Sequence, residues 1–222
     1  MGKACVKCRR IASCPGSEFA LFKRIVTAGY STVIARRGLL FYRMEKRMID
    51  NVTVRRVHAN EVAACVESLA DVLIDCVEGG ASVSFMLPIS RDRALGFWRK
   101  VADGVGNGER VLLVAEEGNG QIVGTVQMIT AQPENQPHRA DIAKMLVHRR
   151  ARRSGVGQRL MVEVERVARE EKKSVLVLDT VTGGDAERLY QRAGWQRVGD
   201  VPNYALMPSG EFCGTTFYCK QL

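Results

Sequence analysis

The chain has 222 residues, of which 46% are hydrophobic and 26% charged, a globular composition. No run approaches the roughly 18 apolar residues of a membrane-spanning helix. The formal net charge of +9 is uneven: residues 1–50 hold 11 Lys/Arg against 3 Asp/Glu, whereas residues 51–222 hold 22 against 21. The bulk of the chain therefore lacks the basic footprint of a nucleic-acid binder, and neither nucleic acid nor membrane is expected as a partner.

Residues 1–50 read as a basic N-terminal extension, either non-native or disordered, with Cys5, Cys8, Cys14, the pairs Arg9-Arg10 and Arg36-Arg37, and no sustained apolar period. The apolar stretch around Phe19 to Phe22 is too short for a secretory signal, and Val6 stands where a myristoylation signal wants Ser or Thr. A cytoplasmic location is expected. Cys5-x-x-Cys8 is half a zinc site with no second pair at finger-like spacing, so no metal is assigned. Cys65, Cys76, Cys213 and Cys219 fall inside periodic segments, as buried small hydrophobes do, and no disulfide framework is read. The folded domain is expected over residues 51–222, and a chain starting at Met48 is expected to fold and act alone.

Orderly patterning begins at Asn51. Val52 to Val57 reads as a strand. Asn60 is a candidate cap for a helix to about Val77 with apolar residues at 62, 65, 66, 69, 72, 73 and 76. Ser90 is a candidate cap for a second helix from about Arg91 to Val105, ended by the glycines of 104–108. Arg110 to Glu116 and Ile122 to Ala131 read as strands joined by the hairpin signal Gly118-Asn119-Gly120, followed by a strand over Arg139 to His148. A helix to about Lys172, an apolar strand Val175 to Asp179, a short helix Asp185 to Ala193 and strands near 196–201 and 214–220 complete the order. The crossover from strand 139–148 through a helix to strand 175–179 is a βαβ unit, so those two strands should be parallel in a mixed, mostly antiparallel α/β sheet.

Between that strand and its helix stands "RRARRSGVGQRL", residues 149–160. A glycine-containing turn lets the backbone approach a ligand, and a helix start offers unpaired N–H groups and a positive dipole end to an anion. Gly155 and Gly157 leave space where a pyrophosphate would lie, Ser154 can cap or donate, and Arg152 and Arg153 add charge-assisted bonds. Residues 139–174 contain no aromatic side chain on which a base could stack. A dinucleotide fold fits poorly, because no third glycine follows at the required spacing.

Arg152-x-x-Gly155-x-Gly157 matches the acetyl-coenzyme A signature of the GCN5-related N-acetyltransferases, and the order of elements from 51 to 222 resembles that family. Asp185 to Trp195, "DAERLYQRAGW", resembles the family's second cofactor helix and the turn after it. The stretches "FMLPISRDRALGFW", "RADIAKMLVHRRARRSGVG", "VLVLDT", "VPNYALMPSG" and "TTFYCKQL" are similar to the subgroup containing the tabtoxin resistance acetyltransferase.

The resemblance implies a GNAT fold, acetyl-CoA as cosubstrate, and direct acetyl transfer to an amine without a covalent enzyme intermediate. It implies a cofactor site at Arg152, Arg153, Ser154, Gly155, Val156, Gly157 and Gln158, with main-chain groups of Met145 and Val147 along the pantetheine arm and thioester. Tyr190 sits where the family places the tyrosine that protonates the departing sulfur. Asp141 and Asp179 resemble the acidic pair of the tabtoxin-resistance subgroup and could take the amine proton. The expected acceptor is a small amine, amino-acid-like, such as an antibiotic or toxin. A protein amine, a regulatory or inactive coenzyme A-binding module, and a homodimer remain open. Phe85, Met86, Leu87, Phe97 and Trp98 could line the acceptor pocket or belong to the core. His58, His138 and His148 have no partner at metal or triad spacing.

Overall fold

A computed structural model describes residues 51–222, so the basic extension with Cys5, Cys8 and Cys14 lies outside the described residues. The elements are β1 (Val52–Val57), α1 (Val62–Glu78), α2 (Arg91–Gly106), β2 (Arg110–Glu117), β3 (Ile122–Ile129) and β4 (Arg139–Val147). A 3-10 turn (Arg149–Ala151) leads to α3 (Val156–Glu170), β5 (Val175–Val181), α4 (Asp185–Arg192), β6 (Gln196–Leu206) and β7 (Phe212–Gln221). The seven strands form one sheet in the order β1-β2-β3-β4-β5-β7-β6. Every neighbouring pair is antiparallel except β4 and β5. This is the mixed sheet with one βαβ unit that the sequence predicts.

Both faces of the sheet are covered, and the strand sequences show why. Val111, Leu113 and Ala115 of β2 pack on one side with Leu160, Met161, Val164, Val167 and Ala168 of α3. The alternate residues Leu112 and Val114 pack on the other with α1 and with Trp98 of α2. A strand buried on two faces reads as a continuous apolar run, which is what "VLLVA" is. Helix α1 buries Val62, Cys65, Val66, Leu69, Val72, Leu73 and Cys76, the predicted stripe.

The helix starts partly depart from expectation. Ser90 caps α2 as predicted, its hydroxyl accepting from Arg93 N at 3.3 Å. Asn60 does not cap α1. The chain already turns at His58, whose carbonyl accepts from Val62 N at 3.0 Å, and Glu61 Oε1 reaches back to His58 N at 2.9 Å. The last two strands run longer than predicted, to Leu206 and from Phe212, because β6 is an edge strand whose exposed residues leave no apolar period to read.

One polar cluster interrupts the α3 side of the core. Glu165 accepts from Trp195 Nε1 at 3.1 Å and from Lys220 Nζ at 2.7 Å, and Lys220 also donates to Ala193 O at 2.5 Å. It ties α3 to β7 and to the turn that ends α4. Among the described residues no helix is long and apolar enough to cross a membrane, and no group of His, Cys, Asp and Glu could hold a metal ion.

Candidate active site

The site is built where β4 and β5 part. Their parallel ladder has three pairs, Arg139 with Val175, Ala140 with Leu176 and Asp141 with Val177. From Ile142 onward β4 makes no ladder contact with β5, which continues along β7 as far as Val181. A β-bulge accompanies the divergence: Thr125 of β3 pairs with Leu146 and Gln127 with Ala143, so Lys144 and Met145 together stand opposite Val126. Lys144 takes the left-handed backbone conformation, φ 49°. The extra residue reverses the facing of the strand. Ala140 and Ile142 pack on the α3 side, whereas Leu146 packs on the α1 side and Met145 and Val147 on the α3 side.

The loop after β4 leads into α3 through two left-handed residues, Arg153 at φ 62° and Gly155 at φ 81°. Gly155 is the cap residue of α3 and offers no side-chain bond to the helix. Ser154 is therefore not the cap; its hydroxyl donates to Ala151 O at 2.6 Å and closes the preceding turn. The first-turn N–H groups, those of Val156, Gly157 and Gln158, point out of the helix end without intrahelical acceptors, as helix geometry requires. The two glycines do different jobs. A Cβ at Gly155 would meet nothing within 4 Å, so that position needs glycine for its φ and leaves open space above the helix end. A Cβ at Gly157 would stand 3.2 Å from Leu189 and 3.9 Å from Met145 and Val147, so its smallness also lets α3 approach α4 and β4.

The arginine run is mostly occupied by the protein itself. Arg149 bonds Asp75 of α1 through its backbone N at 2.7 Å and its side chain at 2.8 Å. Arg150 grips both carboxylate oxygens of Glu117 at 2.9 Å. Arg152 turns back to donate to Val147 O at 3.1 Å, beside the Cys76 thiol. The bond engages the Arg152 Nε–H with β4 while the residue stays exposed. Burial works against ionisation of Asp75, but the bonds from Arg149 and the neighbouring His148 outweigh it and hold the carboxyl below its ordinary pKa. Arg153 and Gln158 are exposed beside the helix end, and Val156 is buried beneath it.

Tyr190, on α4, is 5% exposed and packs against Trp195 and Tyr218 with ring centroids 6.2 and 5.9 Å away. Burial, then the charge of Asp179, pushes its phenol well above the ordinary value, so it stays protonated at neutral pH. Among the described residues nothing hydrogen-bonds its hydroxyl. Asp179 is exposed on β5 and acts electrostatically on both Tyr190 and Lys144. Asp141 is engaged elsewhere: Arg139 and Gln132 both donate to its carboxylate, Gln132 at 3.0 Å. The structure thus groups Tyr190, Asp179 and Lys144 electrostatically and holds Asp141 in a separate polar cluster.

Residues 108–197 match the acetyltransferase (GNAT) domain family. Solved structures superpose over most of the described residues. A GCN5-related N-acetyltransferase from Kribbella flavida is 21% identical, with a TM-score of 0.64 over 78% of this chain and 99% of its own. A Salmonella typhimurium protein described as an acetyltransferase, solved with its cofactor acetyl-CoA, is 21% identical, with a TM-score of 0.62 over 78% and 94%. A ribosomal-protein-alanine N-acetyltransferase from Brucella melitensis is 24% identical, with a TM-score of 0.61 over 77% and 99%. The fold is that of the GNAT acetyltransferases. In this GNAT framework the family match spans β2 to the start of β6 and so contains the bulge, the glycine turn, Asp179 and Tyr190.

Lys144 is the site residue that the sequence reading passed over. Its Nζ lies 3.1 Å from Ser84 Oγ and 5.7 Å from the centre of the Phe97 ring. Burial lowers its pKa, with Asp179 opposing. A signal was present: in the alternation Ala140, Ile142, Lys144, Leu146, a lysine occupies a position that an unbroken strand would turn into the core.

Proposed function

We propose that the protein is an acetyl-CoA-dependent N-acetyltransferase acting on a small amine, of the amino-acid-like antibiotic or toxin kind, in keeping with its narrower likeness to the tabtoxin resistance acetyltransferases. The observation that carries this reading is the β4–β5 divergence at a bulge, flanked by an open left-handed glycine at one helix start and a buried, protonated tyrosine on the next helix. The residues present fit the cosubstrate. An anionic pyrophosphate suits the open first turn of α3, held by the N–H groups of Val156, Gly157 and Gln158 with Ser154, Arg152 and Arg153 alongside. The unladdered edge of β4 leaves main-chain groups near Met145 and Val147 for the amide-bearing arm.

Bound acetyl-CoA supplies an acetyl thioester: the amine forms the new N–C bond, the C–S bond breaks, and free thiol leaves. The chain's own groups handle the protons. Asp179, an exposed carboxylate at the mouth of the divergence, receives the proton that the amine must lose. Tyr190 holds a proton ready for the departing sulfur, which its raised pKa keeps in place across the neutral range. Asp141, the other carboxylate that could take the amine proton, is held by Arg139 and Gln132, which favours Asp179 for that role. Calorimetric titration with acetyl-CoA, followed by a screen of amines monitored by thiol release, tests the reading. Micromolar cofactor binding with amine-dependent thiol release is expected, and absence of cofactor binding to the folded protein overturns it.

A further inference from the structure

Among the described residues, the wall of the cleft opposite α3 carries two cations, Lys144 and Arg93, that form no ion pair. Lys144 Nζ stands 5.7 Å from the Phe97 ring centre; Phe97 meets Phe85 edge-to-face at 5.3 Å; and the Arg93 guanidinium lies over Phe85 at 5.6 Å. A cation–aromatic–aromatic–cation chain therefore runs from the bulge of β4 to the first turn of α2. Among the described residues no carboxylate lies within ion-pair distance of either cation, although 15 ion pairs are formed elsewhere in the same domain. The hydrogen bond of Lys144 is to a neutral hydroxyl, that of Ser84, itself in the left-handed conformation at φ 75°. Asp179 is the charged group that acts on Lys144, from beyond contact distance.

A half-buried ammonium without a counter-ion is unfavourable in the resting protein, and an anionic ligand group entering beside it relieves that cost. The left-handed residue at the bulge is what aims it, since without the bulge position 144 would face the α3 core. The Phe97 ring beside it lowers the local polarity and strengthens a charge-assisted bond formed there.

We propose that Lys144 receives the carboxylate of the amino-acid-like acceptor, while Arg93, two rings away at the exposed end of the chain, adds only longer-range attraction. The proposal rests on the acetyltransferase reading and specifies its substrate class. With Asp179 assigned to the amine proton and Lys144 to the carboxylate, the acceptor's two ends would meet oppositely charged groups on β5 and β4. Lys144 is on this account a specificity residue and transfers no proton.

The test is a panel of α-amino acids and ω-amino acids, each matched with its own carboxamide, assayed by thiol release from acetyl-CoA. The carboxylates should exceed their amides in kcat/KM by roughly 10- to 100-fold, the range of a hydrogen bond to a charged group. Lys144→Met should erase that preference, mainly through KM, while Lys144→Arg keeps part of it and Arg93→Gln reduces it less. Calorimetry with acetyl-CoA on each variant separates a lost acceptor contact from a lost fold. Amides used as well as carboxylates, no carboxylate-bearing amine turned over, or a preference surviving in Lys144→Met would each overturn the proposal. If acetyl-CoA does not bind the parent protein, the acetyltransferase reading itself has failed.

Discussion

The two walls of the β4–β5 cleft are both rich in cations, yet they use them in opposite ways. On the α3 wall Arg149, Arg150 and Arg152 are bound to Asp75, Glu117 and the Val147 carbonyl, and what faces the cleft is backbone at the start of a helix. On the α2 wall Lys144 and Arg93 have no carboxylate partners among the described residues, and what faces the cleft is side chain. A dense basic run can thus be scaffold, holding a loop whose main chain does the binding. A solitary lysine between apolar neighbours can be the group that meets a ligand.

Four substitutions break or sharpen this contrast, beginning with the largest effect. Tyr190→Phe removes the hydroxyl proposed to protonate the departing sulfur while leaving a ring of nearly the same shape against Trp195 and Tyr218. Turnover should fall by about 10²- to 10⁴-fold with acetyl-CoA affinity unchanged, as steady-state kinetics beside calorimetry would reveal. Retained activity would return the residue to the core. Gly155→Val tests the backbone wall, because a β-branched residue at φ 81° is strained whatever space surrounds it. The expected rise in the acetyl-CoA dissociation constant is at least about tenfold, and unchanged affinity in a folded variant would remove the helix start from the site.

Asp75→Asn loosens the tether between α1 and the loop. It should lower stability by about 1–3 kcal/mol in denaturant melts, because Arg149 loses a charged acceptor in a part-buried place. The sign of its pH dependence follows from the depressed folded pKa. The contribution of Asp75 is fully present above the unfolded carboxyl value, near pH 4, and is lost as pH falls through the lower folded value. The stability difference between parent and variant should therefore narrow only below about pH 4. A difference that widened on acidification would contradict the pairing. Arg150→Gln should do least: Arg150 is exposed and reaches the half-buried Glu117 from the solvent side, where such pairs contribute about 0–1 kcal/mol, and cofactor affinity should not move. A marked loss of acetyl-CoA binding would show that the run reaches the phosphates after all.

Much of this architecture is legible in the sequence because the signals are local. The stripe of α1, the Ser90 cap, the two-faced run of β2 and the βαβ crossover follow from period and turn chemistry. The features that escaped depend on tertiary partners. Asn60 looks like a cap, but the glutamate after it can bond a turn that began two residues earlier. Ser154 lies beside the right helix end, yet the left-handed turn at Gly155 points it at Ala151. Arg152 belongs to the motif, but its bond back to Val147 depends on a strand end that spacing alone does not locate. Asp141 and Asp179 are equivalent as strand-end carboxylates, and only Arg139 and Gln132, folded beside the first, distinguish them. The bulge at Lys144 was the costliest omission, since it decides which wall that lysine joins.

The buried contact between Glu165, Trp195 and Lys220 has a consequence for dimension. Helix α3 begins at the glycine turn and, ten residues after Gly155, is fastened at Glu165 to the stretch that terminates the tyrosine-bearing helix. At 1.5 Å per residue it acts as a ruler of ~15 Å between the glycine turn and the end of the Tyr190 helix, so under the proposed function it sets the span from phosphate to tyrosine. A residue inserted into its middle would lengthen the gauge by ~1.5 Å and swing the fastening through about 100°. Both ends could then stay intact while no longer measuring the same molecule.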